Sequence, residues 1–499
     1  MEMDTVSEYR TYSGRSTYCR SLCFLLGKAA ADVFPECRIT MRRPISKGFL
    51  CYLTKTDGGK TTEEDIRMIS ARMDELIRAD IPFVPHEEAR EAVIDIFRSK
   101  GYSDKVKLLE TSTDKTIVYH TLDGSPDYYY DTLLPSTGEI FLYKLEPYRG
   151  GMLLRVPDRH SPDKLAPFFE QPKTFEVFKE NSRWNQIMGL ETVGDVNCAC
   201  RRGEASDLIQ VAEALQEKKI VQIAEEIEDR FKNNNLKIVL ITGPTSSGKT
   251  TFCKRLCIQL KACGLHPISF STDDYFVNRV ETPKLPDGSY DFDNFDTVDH
   301  RYLESDVLKL LQGEAVEVPE YNFVTGLREF NGKRLCLKED TILLIEGIHA
   351  LNPELIPHVD PSVQFKIFIN TITSISLDDH NCIPTSDNRL LRRIVRDYLN
   401  GSFSAQATIQ NWPNVRRNEV KWIYPYQENA DILFNSAYLV EFAVLRRIAE
   451  KILGTVPSDS PESREAHRLL KFLHHFSPVS DKDIPATSLL RSFIGGSNL

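Results

Sequence analysis

Several features that define whole classes of protein are missing from this sequence. The eleven cysteines, scattered from Cys19 to Cys382, form no C-x2-C pair, so a structural zinc site is not expected. Their odd number and wide spacing favour reduced thiols over a disulfide scaffold. The longest apolar runs, such as residues 238–241, are too short to span a membrane, and no apolar signal segment opens the chain. We therefore expect a soluble, cytoplasmic protein.

Positive charge is also not in excess. The 62 Lys and Arg residues face 72 Asp and Glu residues, which gives a formal net charge of -10. This balance disfavours a protein that holds nucleic acid by bulk electrostatics, although a local basic patch is still compatible with it. With 41% hydrophobic residues, the chain can build sizeable cores. Internal repeats are absent, and whether the chain forms a homo-oligomer stays open.

The length of 499 residues predicts about three domains at roughly 150 residues each. Helical and strand patterns are mixed in the first part, where residues 63–77 place apolar side chains at helical spacing. From residue 237, the short strands KIVLIT, PISFST, TILLIE and FKIFI alternate with helices, which predicts an α/β fold with a parallel sheet and helices on both faces. The predicted units are an α+β domain (1–160), a linker and helical segment (161–236), an α/β domain (237–454) and a C-terminal helical appendix (455–499).

A phosphate-binding loop is predicted directly after the first of these strands. Residues 243–250 read GPTSSGKT, which satisfies G-x4-G-K-[ST] between a strand and a helix. In this motif backbone N–H groups surround phosphate oxygens, Lys249 reaches the β- and γ-phosphates, and the Thr250 hydroxyl binds Mg²⁺. The alternative, a chance Gly/Ser-rich turn, does not explain the flanking strand and helix. The residues predicted to hold ATP are Gly243, Pro244, Thr245, Ser246, Ser247, Gly248, Lys249, Thr250 and Thr251.

Carboxylates follow two other strands of the predicted sheet. Asp273 and Asp274 come after PISFST, and Glu346 ends TILLIE. Ligands bind beyond the carboxyl ends of parallel strands, so Thr250, Asp273 and Glu346 could converge on one Mg²⁺ if these strands are neighbours. One carboxylate could then take the proton of an acceptor hydroxyl. The competing interpretation is that Asp273 and Asp274 cap the following turn.

The second half of the chain resembles the uridine kinase and phosphoribulokinase family of P-loop kinases. The matching fragments, in order from about 238 to 436, are GPTSSGKT, STDDYF, YDFDNFDTVD, VPEYNFVTGLR, ILLIEGIHAL, RLLRRIVRD and YPYQENAD. The resemblance implies a P-loop NTPase fold with ATP and Mg²⁺. It also implies these roles: Asp273 as the catalytic and metal-linked aspartate, Thr250 and Glu346 as Mg²⁺ ligands, Asp293, Tyr321 and Arg328 as substrate contacts, and Lys249, Arg393 and Arg396 as phosphate-side catalytic groups.

The spacing of the arginines in RLLRRIVRD suggests a role independently of the resemblance. Arg389, Arg393 and Arg396 stand at i, i+4 and i+7, so they share one helix face that could clamp the charge of a transferring phosphoryl group. The alternative is a solvated basic face. The family's lid arginines are missing, because Asn400, Gly401 and Ser402 stand there, and Arg416 or Arg417 could substitute. Gly326 replaces the family's base-contacting histidine. The FIGGS tail and EGIHALN look more like fused nucleoside kinases than plain uridine kinases.

The first part of the chain resembles the second additional, editing domain of threonyl-tRNA synthetases. The resemblance lies in FPECR, PISKGFLCYL, EEDIRMISARMDELIRADIPF and LPSTG. Arg20, Phe24, Tyr129 and Leu133 occupy the positions of the four His and Cys residues of that site. Phe and Leu cannot bind a metal or transfer protons, so the editing chemistry is not expected. Cys19 and Cys23, one position earlier, are predicted core residues.

The kinase interpretation therefore leads. It predicts transfer of the ATP γ-phosphate to the 5'-hydroxyl of a nucleoside, uridine or cytidine, without membrane or nucleic-acid partners. Tyr275, Tyr290 and Tyr321 favour a base over the first alternative, a sugar phosphate. The second alternative is an ATP-switched, tRNA-binding regulatory protein, which the acidic balance disfavours.

Overall fold

The computed structural model describes residues 5–285 and 288–499, and its first part contains two small antiparallel sheets with helices. The strands are β1 (Arg38–Ile45), β2 (Gly48–Thr54), β3 (Val84–Ala89), β4 (Thr116–Leu122), β5 (Ser125–Asp127), β6 (Lys144–Tyr148) and β7 (Gly151–Arg155). The helices are α1 (Thr5–Tyr9), α2 (Tyr12–Val33), α3 (Glu63–Arg78), α4 (Arg90–Ser99) and α5 (Ser103–Glu110). The sheet orders are β1-β2-β7-β6 and β3-β4-β5. This α+β arrangement agrees with the sequence expectation.

Helix α3 shows why the sequence pattern was informative. Thr62 caps its N-terminus: the Thr62 hydroxyl accepts from the Asp65 N–H, and the Asp65 carboxylate accepts from the Thr62 N–H. Ile66, Ile69 and Met73 are buried on one face against α2. The predicted helix over 63–77 is confirmed.

Three helices follow the first part: α6 (Pro172–Met188), α7 (Val193–Arg201) and α8 (Ala205–Asn233). The remaining strands are β8 (Ile238–Thr242), β9 (His266–Ser271), β10 (Val316–Glu317), β11 (Glu320–Asn322), β12 (Leu327–Glu329), β13 (Arg334–Leu335), β14 (Thr341–Glu346), β15 (Gln364–Asn370) and β16 (Ile432–Asn435). The remaining helices are α9 (Lys249–Ala262), α10 (His300–Leu311), α11 (Thr385–Leu399), α12 (Ala405–Asn418), α13 (Glu441–Leu453), α14 (Ser463–His474) and α15 (Arg491–Ile494).

The central sheet of the second part has five strands in the order β16-β15-β8-β14-β9, and all four pairings are parallel. Its three inner strands, β15, β8 and β14, are almost continuously apolar and buried, as expected for a parallel sheet covered on both faces. One face packs on α8 and α9 and the other on α10 and its neighbours. The predicted α/β sheet is confirmed. No helix in the described ranges is long and apolar enough to cross a bilayer.

Single buried apolar clusters contain residues from more than one of the predicted units. Val93 and Tyr128 of the first part belong to the same apolar cluster as Leu391 of α11 and Leu469 of α14. A second cluster joins Leu50 of β2 to the central sheet. The C-terminal helices therefore add to the core of the kinase-like part.

Candidate active site

The phosphate loop lies between β8 and α9, where the sequence predicts it. A Cβ atom on Gly243 would lie 2.1 Å from the carbonyl oxygen of Ile369, so only glycine fits against the neighbouring strand β15. The Lys249 Nζ donates to the carbonyl oxygens of Gly243 (3.0 Å) and Pro244 (3.4 Å). Burial lowers the pKa of Lys249, so this ammonium would gain from an anionic partner.

Strand register brings the predicted metal ligands to one edge of the sheet. Strand β14 lies between β8 and β9, and Glu346 at its end is level with Ile241 of β8 and Ser271 of β9. The Thr250 Oγ1 donates to the Glu346 Oε1 at 3.0 Å. The sequence could state this proximity only as a condition on strand order, and the structure meets that condition.

Asp273 lies in a single 3-10 turn, Thr272–Tyr275, directly after β9. Its backbone N–H donates to the Ser271 Oγ at 3.2 Å, so Ser271, and not an aspartate, caps the turn. Burial and then the charge of Glu346 raise the pKa of Asp273 to about 7, while Lys249 acts in the opposite direction. A raised pKa makes the Asp273 carboxylate a stronger base than an exposed aspartate, which suits a general base.

This donor set suits Mg²⁺. Thr250, Asp273 and Glu346 offer only oxygen atoms, and the charge of Glu346 raises the pKa of Asp273, a repulsion that a bound cation would relieve. Among residues 5–285 and 288–499, no group of three or more His, Cys, Asp or Glu side chains could hold a metal ion alone. Mg²⁺ typically uses one or two carboxylates and completes its coordination with water and substrate phosphates. The residues present fit that mode.

Two predicted nucleoside contacts, Asp293 and Tyr321, lie near Asp273: the charge of Asp293 acts on the pKa of Asp273, and β11, which bears Tyr321, contacts the turn Thr272–Tyr275. Burial raises the pKa of Asp293, and Arg393 is the first group that opposes this effect. Tyr321 is only 4% exposed, and its hydroxyl has no hydrogen-bond partner in the described part of the protein. Its ring contacts those of Phe276 (5.4 Å) and Phe323 (5.0 Å). An unpaired buried hydroxyl indicates a position where a polar ligand group can bind.

His349 is a neighbour of this site that the sequence reasoning did not single out. It is almost completely buried, and burial lowers its pKa to about 4, so it is neutral at pH 7. Its ring packs edge-on against Phe295, and neither ring nitrogen has a hydrogen-bond partner among the described residues. The sequence signal that could have identified it is the position of this histidine in EGIHAL, two residues after the glycine that follows the strand.

Arg328, another predicted substrate contact, is held by protein groups. Both of its terminal nitrogens lie 3.1 Å from the Asp299 Oδ2, and its Nε donates to the Phe276 carbonyl at 3.1 Å. In this position Arg328 supports the segment after Asp273.

Helix α11 brings arginines to the phosphate loop in unequal ways. Arg389 is fully buried; its guanidinium pairs with Glu419 (2.9 Å for one nitrogen) and lies 3.3 Å from the Thr245 carbonyl. Arg393 lies 3.5 Å from the Thr245 Oγ1 and 3.3 Å from Asp397. The predicted shared face exists, but Arg389 has a structural role because its charge is neutralised.

Arg396 and Arg416 complete this basic region. Arg396 pairs with Asp397 at 2.7 Å, near the solvent. Arg416 donates to the Glu419 Oε2 at 2.7 Å and so shares this carboxylate with Arg389. Gly326 has a left-handed φ of +73°, and a Cβ there would lie 2.8 Å from atoms of Arg279. The histidine that is absent at this position therefore has no space in this chain.

The four positions that correspond to the site of the synthetase domain in the predicted resemblance lie together. Arg20 pairs with Asp131 at 3.1 Å and donates to the Thr132 carbonyl, while the rings of Phe24 and Tyr129 are 5.5 Å apart. Leu133 packs on the same apolar cluster. Cys19 and Cys23 are buried in that cluster, and burial raises the pKa of both thiols. Both cysteines are core residues, as predicted.

Two parts of the chain are similar to known proteins. The chain is 28% identical over 204 residues to a uridine kinase of Vibrio parahaemolyticus, a match that covers 40% of this chain and 87% of the relative. It is 31% identical over 142 residues to a threonine–tRNA ligase of Methylobacillus flagellatus, covering 28% of this chain and 22% of the ligase. A solved structure of a possible uridine kinase from Bacillus stearothermophilus aligns at 18% identity and a TM-score of 0.29, covering 40% of this chain and 89% of that one. Residues 238–442, the part that carries the site, match the model of the phosphoribulokinase/uridine kinase family.

Proposed function

We propose that this protein is a cytoplasmic kinase that transfers the γ-phosphate of ATP to the 5'-hydroxyl of a nucleoside, uridine or cytidine. The observation that carries the proposal is the arrangement at the sheet edge, where the Thr250 Oγ1 donates to the Glu346 Oε1 at 3.0 Å and Asp273 follows the neighbouring strand β9. These residues lie in the segment that matches the phosphoribulokinase/uridine kinase family. A phosphate loop next to carboxylates is the arrangement that phosphoryl transfer to a hydroxyl needs.

In the proposed reaction the nucleoside O5' attacks the γ-phosphorus as the bond between that phosphorus and the ADP oxygen breaks. The proton of the 5'-hydroxyl passes to Asp273, and ADP and the nucleoside 5'-monophosphate are released. Lys249 leaves the loop carbonyls to contact the β- and γ-phosphates, and Arg393 and Arg396 face the transferring group. Mg²⁺, held by Thr250, Asp273 and Glu346, supplies charge neutralisation on the phosphates when bound.

The acceptor side supports a nucleoside over a sugar phosphate. The Tyr321 hydroxyl is buried and unpaired in the described residues, and Asp293 is an acceptor for ribose hydroxyls. The surrounding rings of Phe276 and Phe323 form an apolar wall of the kind that a base requires. A sugar phosphate would instead need further cations, and Arg328 is already paired with Asp299.

For the first part of the chain, we propose an editing-like domain that has lost hydrolysis. The similarity to a threonine–tRNA ligase supports the likeness, and the contact between Phe24 and Tyr129 supports the loss, because these rings replace groups that bind metal or protons.

The test is a coupled assay of ADP release with uridine, cytidine, adenosine and ribulose 5-phosphate as acceptors. Asp273→Asn should lower turnover with uridine or cytidine by at least about 10²-fold, since a general base contributes 10² to 10⁴, while ATP still binds. Asp274→Asn is the matched control and should keep most of the activity. Retained turnover in Asp273→Asn would falsify the assignment, and ribulose 5-phosphate as the preferred acceptor would replace the nucleoside.

A further inference from the structure

A cavity of about 240 Å³ lies away from the phosphate loop, between the first part of the chain and the start of α11. Helix α2, the turn before β2, and residues 129–130 form one side. Residues 380–386 and Arg468 of α14 form the other. None of the side chains placed around the phosphate loop or on the acceptor side lines this cavity, whereas Arg20 and Tyr129, two of the four positions that correspond to the synthetase site, do.

The charge of the lining is unusual for a protein with a net charge of -10. No carboxylate lines the cavity, but five cationic side chains do: Arg15, Arg20, Lys47, Arg159 and Arg468. A cavity lined by one sign of charge concentrates ligands of the other sign.

Two of these cations lack a counter-charge. Arg20, Lys47 and Arg468 form ion pairs with carboxylates behind the lining, whereas Arg15 and Arg159 form none with any described residue. Arg15 lies 3.4 Å from the Lys47 carbonyl, and Arg159 donates to the Arg10 carbonyl at 2.9 Å. Partial burial and then the cations Arg15, Arg416 and Arg417 lower the pKa of Arg159. An anion placed between Arg15 and Arg159 would relieve this repulsion.

The uncharged part of the lining combines aromatic and sulfur-bearing side chains with the polar side chains of Ser16, Asn381 and Ser386. Tyr12, Phe49, Tyr129 and Tyr130 contribute rings, and Tyr12 is 44% exposed at the rim. A ligand that fits such walls has a flat apolar ring as well as a negative group. The volume suits one ring system and one phosphate better than a triphosphate.

We propose that this cavity is a second ligand site, which binds a nucleoside monophosphate with its phosphate between Arg15 and Arg159 and its base among the aromatic side chains. The site adjoins the kinase machinery through α11. Pro384 and Ser386 at the start of this helix line the cavity, and Arg393 further along it reaches Thr245 of the phosphate loop. The proposal does not depend on the acceptor chosen by the active site.

The test is calorimetric titration of uridine 5'-monophosphate into the full-length Lys249→Ala protein, in which phosphate-loop binding is weakened. We expect one site per chain, and Arg15→Ala/Arg159→Ala should weaken it at least tenfold. The control pair Arg67→Ala/Arg202→Ala removes two exposed arginines that pair only with nearby glutamates, and it should leave the affinity unchanged. Arg159→Glu reverses the charge at an exposed position, where we expect the fold to tolerate the change, and it should weaken binding as well.

Two further arms define the ligand. Adenosine 5'-monophosphate tests the base, and inorganic phosphate tests the anion alone; binding of phosphate that equals that of the nucleotide would remove the aromatic part of the proposal. Absence of any binding at millimolar nucleotide, or binding indifferent to Arg15→Ala/Arg159→Ala and Arg159→Glu, would overturn it.

Discussion

At the scale of single residues, the site depends on charges that are held close together against their mutual repulsion. Asp273 is the clearest case, because burial and Glu346 both disfavour its ionised form. Such a carboxyl costs the folded protein stability and serves chemistry, since it accepts a proton near neutral pH.

This conflict makes a pH-dependent prediction. The folded pKa of about 7 lies above the 3.8 of an ordinary aspartate, so ionisation of Asp273 destabilises the fold increasingly as the pH rises from about 4 to 7. Asp273→Asn should therefore raise the melting temperature at pH 8. The pKa difference sets an upper limit of about 4 kcal/mol on the gain in unfolding free energy, and the partial exposure of the carboxyl makes the gain smaller. At pH 5 the gain should be smaller.

The measurement is thermal unfolding in metal-free buffer at both pH values, with Asp296→Asn as the control for an exposed carboxylate. A lower melting temperature for Asp273→Asn at pH 8 would contradict the electrostatic account.

At the scale of elements, the C-terminal segment packs against α9 and α11, the helices next to the phosphate loop. Leu489 is buried beside Phe252 of α9, and the Ser492 hydroxyl hydrogen-bonds that of Thr251. The ring of Phe493 lies 4.6 Å from the guanidinium carbon of Arg392 on α11. These contacts join α9 and α11, the two helices that bear the predicted phosphate contacts.

We therefore expect Leu489→Ala to destabilise the protein by about 2–5 kcal/mol, as for other buried leucines, and to raise the KM for ATP more than it lowers kcat. Leu399→Ala, at a leucine that is 47% exposed, is the control. Melting temperatures with and without ATP, together with steady-state kinetics, test this. An unchanged KM for ATP would leave Leu489 with a purely structural role.

At the scale of the whole molecule, a buried ionic cluster joins the first part to the kinase-like part. The Lys105 Nζ lies 2.8 Å from Asp127 and 3.1 Å from Asp378, and all three side chains are at most 2% exposed. His380 adds a 2.6 Å contact to Asp127. Lys105 keeps both of its carboxylate partners only while the two parts of the protein are packed together.

Lys105→Met should cost about 3–5 kcal/mol, because it leaves Asp127 and Asp378 buried without their cation. Lys107→Met is a close control, since Lys107 is half exposed and pairs with Asp195 at the surface. Chemical unfolding followed by circular dichroism measures both. Equal losses in the two variants would show that the cluster does not hold the parts together.

Much of the site was predictable because its motifs are local. The loop residues 243–251 and the strand-end carboxylates lie at sequence positions whose backbone geometry is set by neighbours, and the structure brings Thr250, Glu346 and Asp273 together. Arg389 was harder to interpret, because its partner Glu419 is 30 residues away and helical spacing alone cannot show that a cation is buried and neutralised.

The sequence by itself determined the alternation of strands and helices, the phosphate loop and the acidic residues of the site, because periodicity and short motifs depend on neighbouring residues. Only the tertiary structure decided the strand order that aligns Glu346 with Ser271, the use of the C-terminal helices as core, and the cationic cavity at Arg15 and Arg159. Each of these needs contacts between residues far apart in the chain, and such contacts leave no periodic trace in the sequence.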